Sequence, residues 1–107
     1  MAFASELYAA ATEALTVDAT SGGVRLTLSN LLNTTPPTKA ATLTVETAQL
    51  RWLKDGTAPT ASAGHVANVG SVIFLDNAND LVNFRAIRTG STSALIRVSY
   101  HRGYGKR

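Results

Sequence analysis

Apolar and polar residues alternate with period two along most of this chain. Val24, Leu26 and Leu28 alternate with Arg25, Thr27 and Ser29, and Leu15 and Val17 with Thr16 and Asp18. Leu43 and Val45 alternate with Thr42, Thr44 and Glu46. Successive side chains of a strand point to opposite faces, so this pattern predicts half-buried strands. Ala48, Leu50 and Trp52 form an apolar set of the opposite parity. An unbroken strand would turn half of these residues outward, so a bulge or break is expected near Thr47.

Turn signals separate the runs: Ser21-Gly22-Gly23, Thr34-Thr35-Pro36-Pro37, Asp55-Gly56, Asp76-Asn77-Ala78-Asn79-Asp80 and Thr89-Gly90-Ser91. The pattern predicts seven or eight short strands near residues 13–18, 23–30, 40–46, 48–54, 65–67, 71–75, 82–88 and 93–101. Strands of this spacing predict an all-β fold, an immunoglobulin-like or jelly-roll-like antiparallel β-sandwich over residues 13–101. Ser5 to Leu15 is the one helical candidate, with Ser5 as N-cap and Leu7, Ala11 and Leu15 on one face. Its stripe is thin, so residues 1–12 are read as an arm that lies against another surface. Residues 102–107 form a basic tail.

Composition changes the picture little. The chain has 107 residues, enough for one domain, with 45% hydrophobic and 16% charged residues. That is too apolar for a disordered chain. The longest strongly apolar run, Val72-Ile73-Phe74-Leu75, is far short of the roughly 20 residues that span a bilayer. The absence of cysteine excludes disulfides, thiolate metal sites and cysteine nucleophiles. Ten Lys+Arg against seven Asp+Glu give +3, a surplus matched by Arg102, Lys106 and Arg107 in the tail. Such a tail suits contact with nucleic acid, anionic lipid or an acidic protein, or simple solvation. No ladder of basic and aromatic residues follows it into the body, so nucleic acid is not an expected partner. The N-terminus has no positive n-region and no unbroken apolar h-region, and reads as no signal peptide. The sequon Asn33-Thr34-Thr35 is taken as incidental.

No catalytic constellation emerges. Serines, His65, His101 and aspartates are present, but none sits in a nucleophile motif such as G-x-S-x-G. Both histidines read as surface or hydrogen-bonded structural residues. Asp76-Asn77-Ala78-Asn79-Asp80 resembles calcium-ligand composition yet fails the EF-hand spacing, with Ala78 at position three and Leu81 at position six. It reads as a turn. No enzyme activity, metal, cofactor, small-molecule substrate or membrane contact is expected. Asp55, Gly56, Thr57, Pro59 and Thr60 are expected to build an ordered structural turn at one end of the sandwich.

One electrostatic feature points to a partner. A hairpin around Thr89–Ser93 would set Arg88 opposite Ala94 and Arg85 opposite Arg97, on the face away from Phe84, Ile96 and Val98. Like charges directly opposite are destabilising. An acid from Glu46, Asp80 or another chain would relieve them, unless the register is shifted or the side chains splay into water.

Two blocks then carry a resemblance. Asp55-Gly56-Thr57-Ala58-Pro59-Thr60 leads to Gly64-His65, and Asn83-Phe84-Arg85-Ala86-Ile87-Arg88-Thr89-Gly90 runs into Ala94-Leu95-Ile96-Arg97-Val98-Ser99-Tyr100. With Leu43-Thr44-Val45-Glu46-Thr47-Ala48, they resemble a group of small tailed-bacteriophage virion proteins over residues 13–101. The Asp-Gly-Thr-x-Pro-Thr turn alone is similar to one in immunoglobulin-like modules of bacterial carbohydrate-active enzymes. The larger resemblance implies a virion structural protein, assembled in the bacterial host cytoplasm, that decorates or cements the capsid. Its partners would be the major capsid protein or neck and tail proteins, with several copies associating. The expected interface residues are Arg85, Arg97, Phe3, Leu7, Tyr8, Arg102, Tyr104, Lys106 and Arg107. A head–tail connector, neck or tail component is the alternative, and a carbohydrate-binding module a further one. The latter needs exposed rings; with Trp52 expected in the core, only Phe3, Tyr8 and Tyr104 are available.

Overall fold

Eight strands take up the alternating segments: β1 (Tyr8–Val17), β2 (Val24–Arg25), β3 (Thr38–Glu46), β4 (Leu50–Leu53), β5 (His65–Ala67), β6 (Val72–Leu75), β7 (Arg85–Arg88) and β8 (Ala94–Arg102). The computed structural model describes residues 7–103. The strands form two four-stranded antiparallel sheets, ordered β1-β8-β3-β6 and β2-β7-β4-β5. Their facing sides bury Leu43, Val45, Ile96, Val98 and Tyr100 of the first sheet against Leu50, Ala86 and Ala67 of the second. This is an all-β sandwich.

The pairing pattern specifies its kind. β1 pairs with β8, β2 with β7, β3 with β6 and β4 with β5, as in one long antiparallel ribbon folded back at the β4–β5 connection. Wrapping that ribbon adds the β3–β8 and β4–β7 pairings and closes both sheets. The result is an eight-stranded jelly roll. Consecutive strands therefore lie in opposite sheets, except for β4 and β5.

This topology corrects two expectations. The helix expected from Ser5 to Leu15 is not present in its described part: from Tyr8 onward the chain is β1, paired along its length with β8. Residues 8–12 of the expected arm belong to that strand, and residues 1–6 lie outside the described residues. Backbone pairing with β8 supplies what a thin helical stripe lacks. There is also no β7–β8 hairpin. Arg88 lies opposite Leu50, and Ala94 opposite Val17.

Crossings between sheets explain the remaining differences. The expected strand over 23–30 ends at Arg25, because the chain must leave one sheet for the other. It does so through a 3-10 turn, Leu28–Asn30, while Leu26 and Leu31 close the end of the core. Between β6 and β7 the expected turn at Asp76–Asp80 becomes the start of a short helix, α1 (Ala78–Asn83). Asn77 caps it by accepting the Asp80 amide at 2.8 Å, and Leu81 anchors it in the core. The break near Thr47 is present: Thr47 has φ +78°, and the chain passes there from β3 to β4 in the other sheet. Trp52, expected in the core, is half-buried at its margin, stacked between His65 at 5.1 Å and Phe84 at 5.9 Å.

Ile96 is 1% exposed at the centre of β8. Ile96→Ala is expected to lower unfolding stability by about 2–4 kcal/mol in urea denaturation. Phe74→Ser, on the outer side of β6, is expected to stay within about 0.5 kcal/mol of the parent.

Candidate docking surfaces

The outer side of the β2-β7-β4-β5 sheet carries arginines in two adjacent rows. Alternation sends Val24, Ala86 and Trp52 toward the interior, so their neighbours face out. One outer row runs Arg25, Arg85, Leu53, and the next Ile87, Arg51, Val66. Arg25 lies directly opposite Arg85, the like-charge arrangement expected between Arg85 and Arg97 but with a different partner. Arg97 lies in the other sheet, opposite Ala14 and Thr44, and pairs with Glu46 at 3.0 Å.

These arginines bond to backbone carbonyls. Arg25 donates to Val82 at 2.9 Å, and Arg51 to Ala61 and Gly64 at 3.1 and 2.8 Å. Arg85 reaches Gly22 only at 3.3 Å, and its Nε is sealed from water without a partner. Arg51 is a clamp. It holds the segment around buried Pro59, whose ring lies near the positions a side chain would take at Gly23 and Gly64. The Asp55–Thr60 segment is tied by its own groups. The Thr57 amide donates to Asp55 at 2.9 Å, Gly56 takes φ +90°, and Thr60 bridges to Ala63. The Thr57 amide, then its hydroxyl, holds the Asp55 carboxyl below the usual range. That contribution is present above the unfolded value of about 3.9 and fades as pH falls through the depressed folded value.

A second surface is apolar and lies along one side of the sandwich. β5 and β6 are the last strands of their sheets on that side, and each has one backbone edge unpaired. Val66, Val69, Val72 and Phe74 are exposed there by 45, 60, 51 and 68%. Phe74 is the most exposed large ring among the described residues, more so than Tyr8, and it was not among the rings expected at the surface. The run Val72-Ile73-Phe74-Leu75 is apolar throughout, so sequence gave no sign of which pair faces out. Phe74 stands beside Thr42, and Ser99 beyond it, on the outer side of the sheet.

A third group is polar and turned inward. Glu13 shares its parity with Leu15 and Val17, a legible signal that the carboxylate points toward the core side. Thr27 Oγ1 donates to it at 2.7 Å, Asn30 Nδ2 at 3.4 Å, and the Tyr100 hydroxyl completes the set. Burial, then the hydrogen bond to Glu13, pushes the Tyr100 hydroxyl well above its usual range. Arg102 extends the network, donating to Thr38 Oγ1 at 2.9 Å and Asn30 O at 3.4 Å.

Of the other expected interface residues, Tyr8 begins β1 half exposed and Leu7 precedes it half-buried. Phe3, Tyr104, Lys106 and Arg107 lie outside the described residues. His101 sits 3.1 Å from Thr42 Oγ1, and His65 stacks on Trp52. Among the described residues no group of three acids or histidines is placed to hold a metal ion, and no helix is long and apolar enough to cross a membrane.

The geometry defines a jelly-roll protein with a basic outer face and an apolar margin. Comparison with protein families, curated proteins and solved structures finds no match to this chain.

A raised Tyr100 value has a definite linkage sign. Its contribution is fully present below the unfolded value of about 10 and is lost as pH rises above it, because only the unfolded chain then releases the proton. Urea midpoints measured up the alkaline limb should fall above about pH 10. Tyr100→Phe should flatten that fall while costing about 1–3 kcal/mol at neutral pH, by leaving Glu13 short of a donor.

Proposed function

We propose that this chain is a non-enzymatic virion structural protein of a tailed bacteriophage, a capsid decoration or cement subunit that works through protein–protein contacts. The observation that carries this reading is the exposure of Val72 and Phe74 together on the outer side of β6, with Val66 exposed on the outer side of β5 and Val69 between the two strands, beside the unpaired edges of β5 and β6. Exposed apolar side chains beside unpaired strand edges are what a monomeric sheet protein suppresses and what a docking subunit uses. The sequence resemblance over residues 13–101 points the same way. The jelly roll is compatible by analogy alone, since the fold also serves lectins and cupins. Its partners are the major capsid protein or other virion proteins, and repeated copies let weak contacts add through multivalency.

A head–tail connector, neck or tail role is the alternative, supported by the same margin. A carbohydrate-binding role draws support from Phe74 standing beside the Thr42 hydroxyl, and glycan titration by calorimetry would give heat only on that reading.

Quantitative mass spectrometry of gradient-purified virions tests the proposal. Hundreds of copies per particle are expected for capsid decoration, and a handful to a few dozen would favour vertex, neck or tail. Absence from the particle would overturn it. Phe74→Ser should reduce incorporation several-fold while leaving the urea midpoint of the isolated protein near that of the parent; equal incorporation would remove the margin from the interface.

A further inference from the structure

We propose that the open edge of β6 pairs with the same edge of a second copy of this chain, joining two sandwiches into one continuous sheet about a two-fold axis at Ile73. Backbone direction singles out this edge. The Val45 amide donates to Ser71 O at 3.0 Å, and along the same pair of strands Leu43 lies opposite Ile73 and Ala41 opposite Leu75. Antiparallel pairs alternate between hydrogen-bonded and open, so Ser71, Ile73 and Leu75 turn their backbone groups to β3. Val72 and Phe74 turn theirs to the other side, where β6 is the last strand of its sheet. Among the described residues no backbone hydrogen bond from another segment reaches them there.

The same two residues carry the exposed side chains. Val72 and Phe74 face out on β6, while Ile73 and Leu75 are buried. Free donors and acceptors therefore run along the edge with apolar surface beside them. Register then selects a second copy as the occupant. When the edge meets itself antiparallel about Ile73, Val72 lies opposite Phe74 of the second copy, and Phe74 opposite Val72 of the second copy. Each of these is a hydrogen-bonded pair, because both residues direct their backbone groups outward. Each also sets an aromatic ring against a β-branched side chain, a favourable cross-strand combination. The surface is self-complementary, as an isologous interface must be.

Charge agrees with this choice. The chain carries +3, yet Val66 to Leu75 contains no charged residue, so two copies meet here without like charges in contact. Behind the edge the outer rows run Phe74, Thr42, Ser99 and Val72, Thr44, Arg97. The one charge among them, Arg97, is paired with Glu46. The strand itself, Val72–Leu75, holds no lysine or proline to discourage pairing. A four-residue edge is small against the roughly 800 Å² per partner of a standard stable interface, so the pair is weak and reversible in solution.

This pairing deepens the docking reading, and rests on it, by naming a second copy as the partner of the β6 edge. It is tested on the isolated full chain, so its failure is separable from absence in virions. Sedimentation equilibrium from about 10 μM to about 1 mM should show a monomer–dimer equilibrium. Amide hydrogen exchange followed by NMR over the same range reads the edge directly. The Val72 and Phe74 amides should gain protection several-fold with concentration, while those of Ile73 and Leu75 stay protected throughout. Phe74→Lys should weaken dimerisation on the order of tenfold, with a urea midpoint near that of the parent. A chain that stays monomeric up to about 1 mM overturns the proposal. So does a dimer in which the Val72 and Phe74 amides exchange as they do in the monomer, or a folded Phe74→Lys chain that dimerises as tightly as the parent.

Discussion

Closure of the ribbon by β8 is the constraint on which this molecule depends. β8 pairs with β1 on one side and β3 on the other, joining segments from opposite ends of the chain. Its inward residues Ala94, Ile96, Val98 and Tyr100 are all at most 1% exposed. Loop-closure entropy must be met before these non-local contacts form, which makes the pairing strongly cooperative. The Glu13–Tyr100 bond lies within the same β1–β8 seam, where an inward charge is held by three donors.

The same winding decides which surfaces remain for partners. Wrapping an eight-strand ribbon leaves four outermost strands, β1, β2, β5 and β6. β1 is the longest of them, and it carries an inward charge and a register shift between Ala9 and Ala11, both devices that discourage further strand pairing. β5 and β6 carry neither device, and although they are short, the segment from Val66 to Phe74 presents four exposed apolar side chains. The asymmetry between the two sides is the physical basis for reading the molecule as a docking subunit.

Electrostatics adds a second polarity. Arg97 finds Glu46 on the outer side of one sheet, while Arg25 and Arg85 are register partners on the other, their heads on the carbonyls of Val82 and Gly22. The like-charge argument made for Arg85 from sequence therefore keeps its form and changes its partner. Arg25 sits sixty positions from Arg85 in the chain; no local pattern brings them together.

Alternation by itself determined a good deal. It marked the strands around Leu15, Leu43, Leu50 and Ile96 and the parity break at Thr47, and turn chemistry marked Asp55–Thr60, because each depends on residues only a few positions apart. It also carried the inward direction of Glu13, through the parity shared with Leu15 and Val17. The tertiary structure decided which sheet each strand joins, since period two fixes faces and says nothing of neighbours. For that reason a helix is expected from Ser5 to Leu15 where pairing with β8 makes Tyr8–Val17 a strand, and Arg97 is expected beside Arg85 where the winding puts them in opposite sheets. The exposure of Phe74 and Val72 belongs to the same class: in an all-apolar run, only the sheet they join tells which side is left to water.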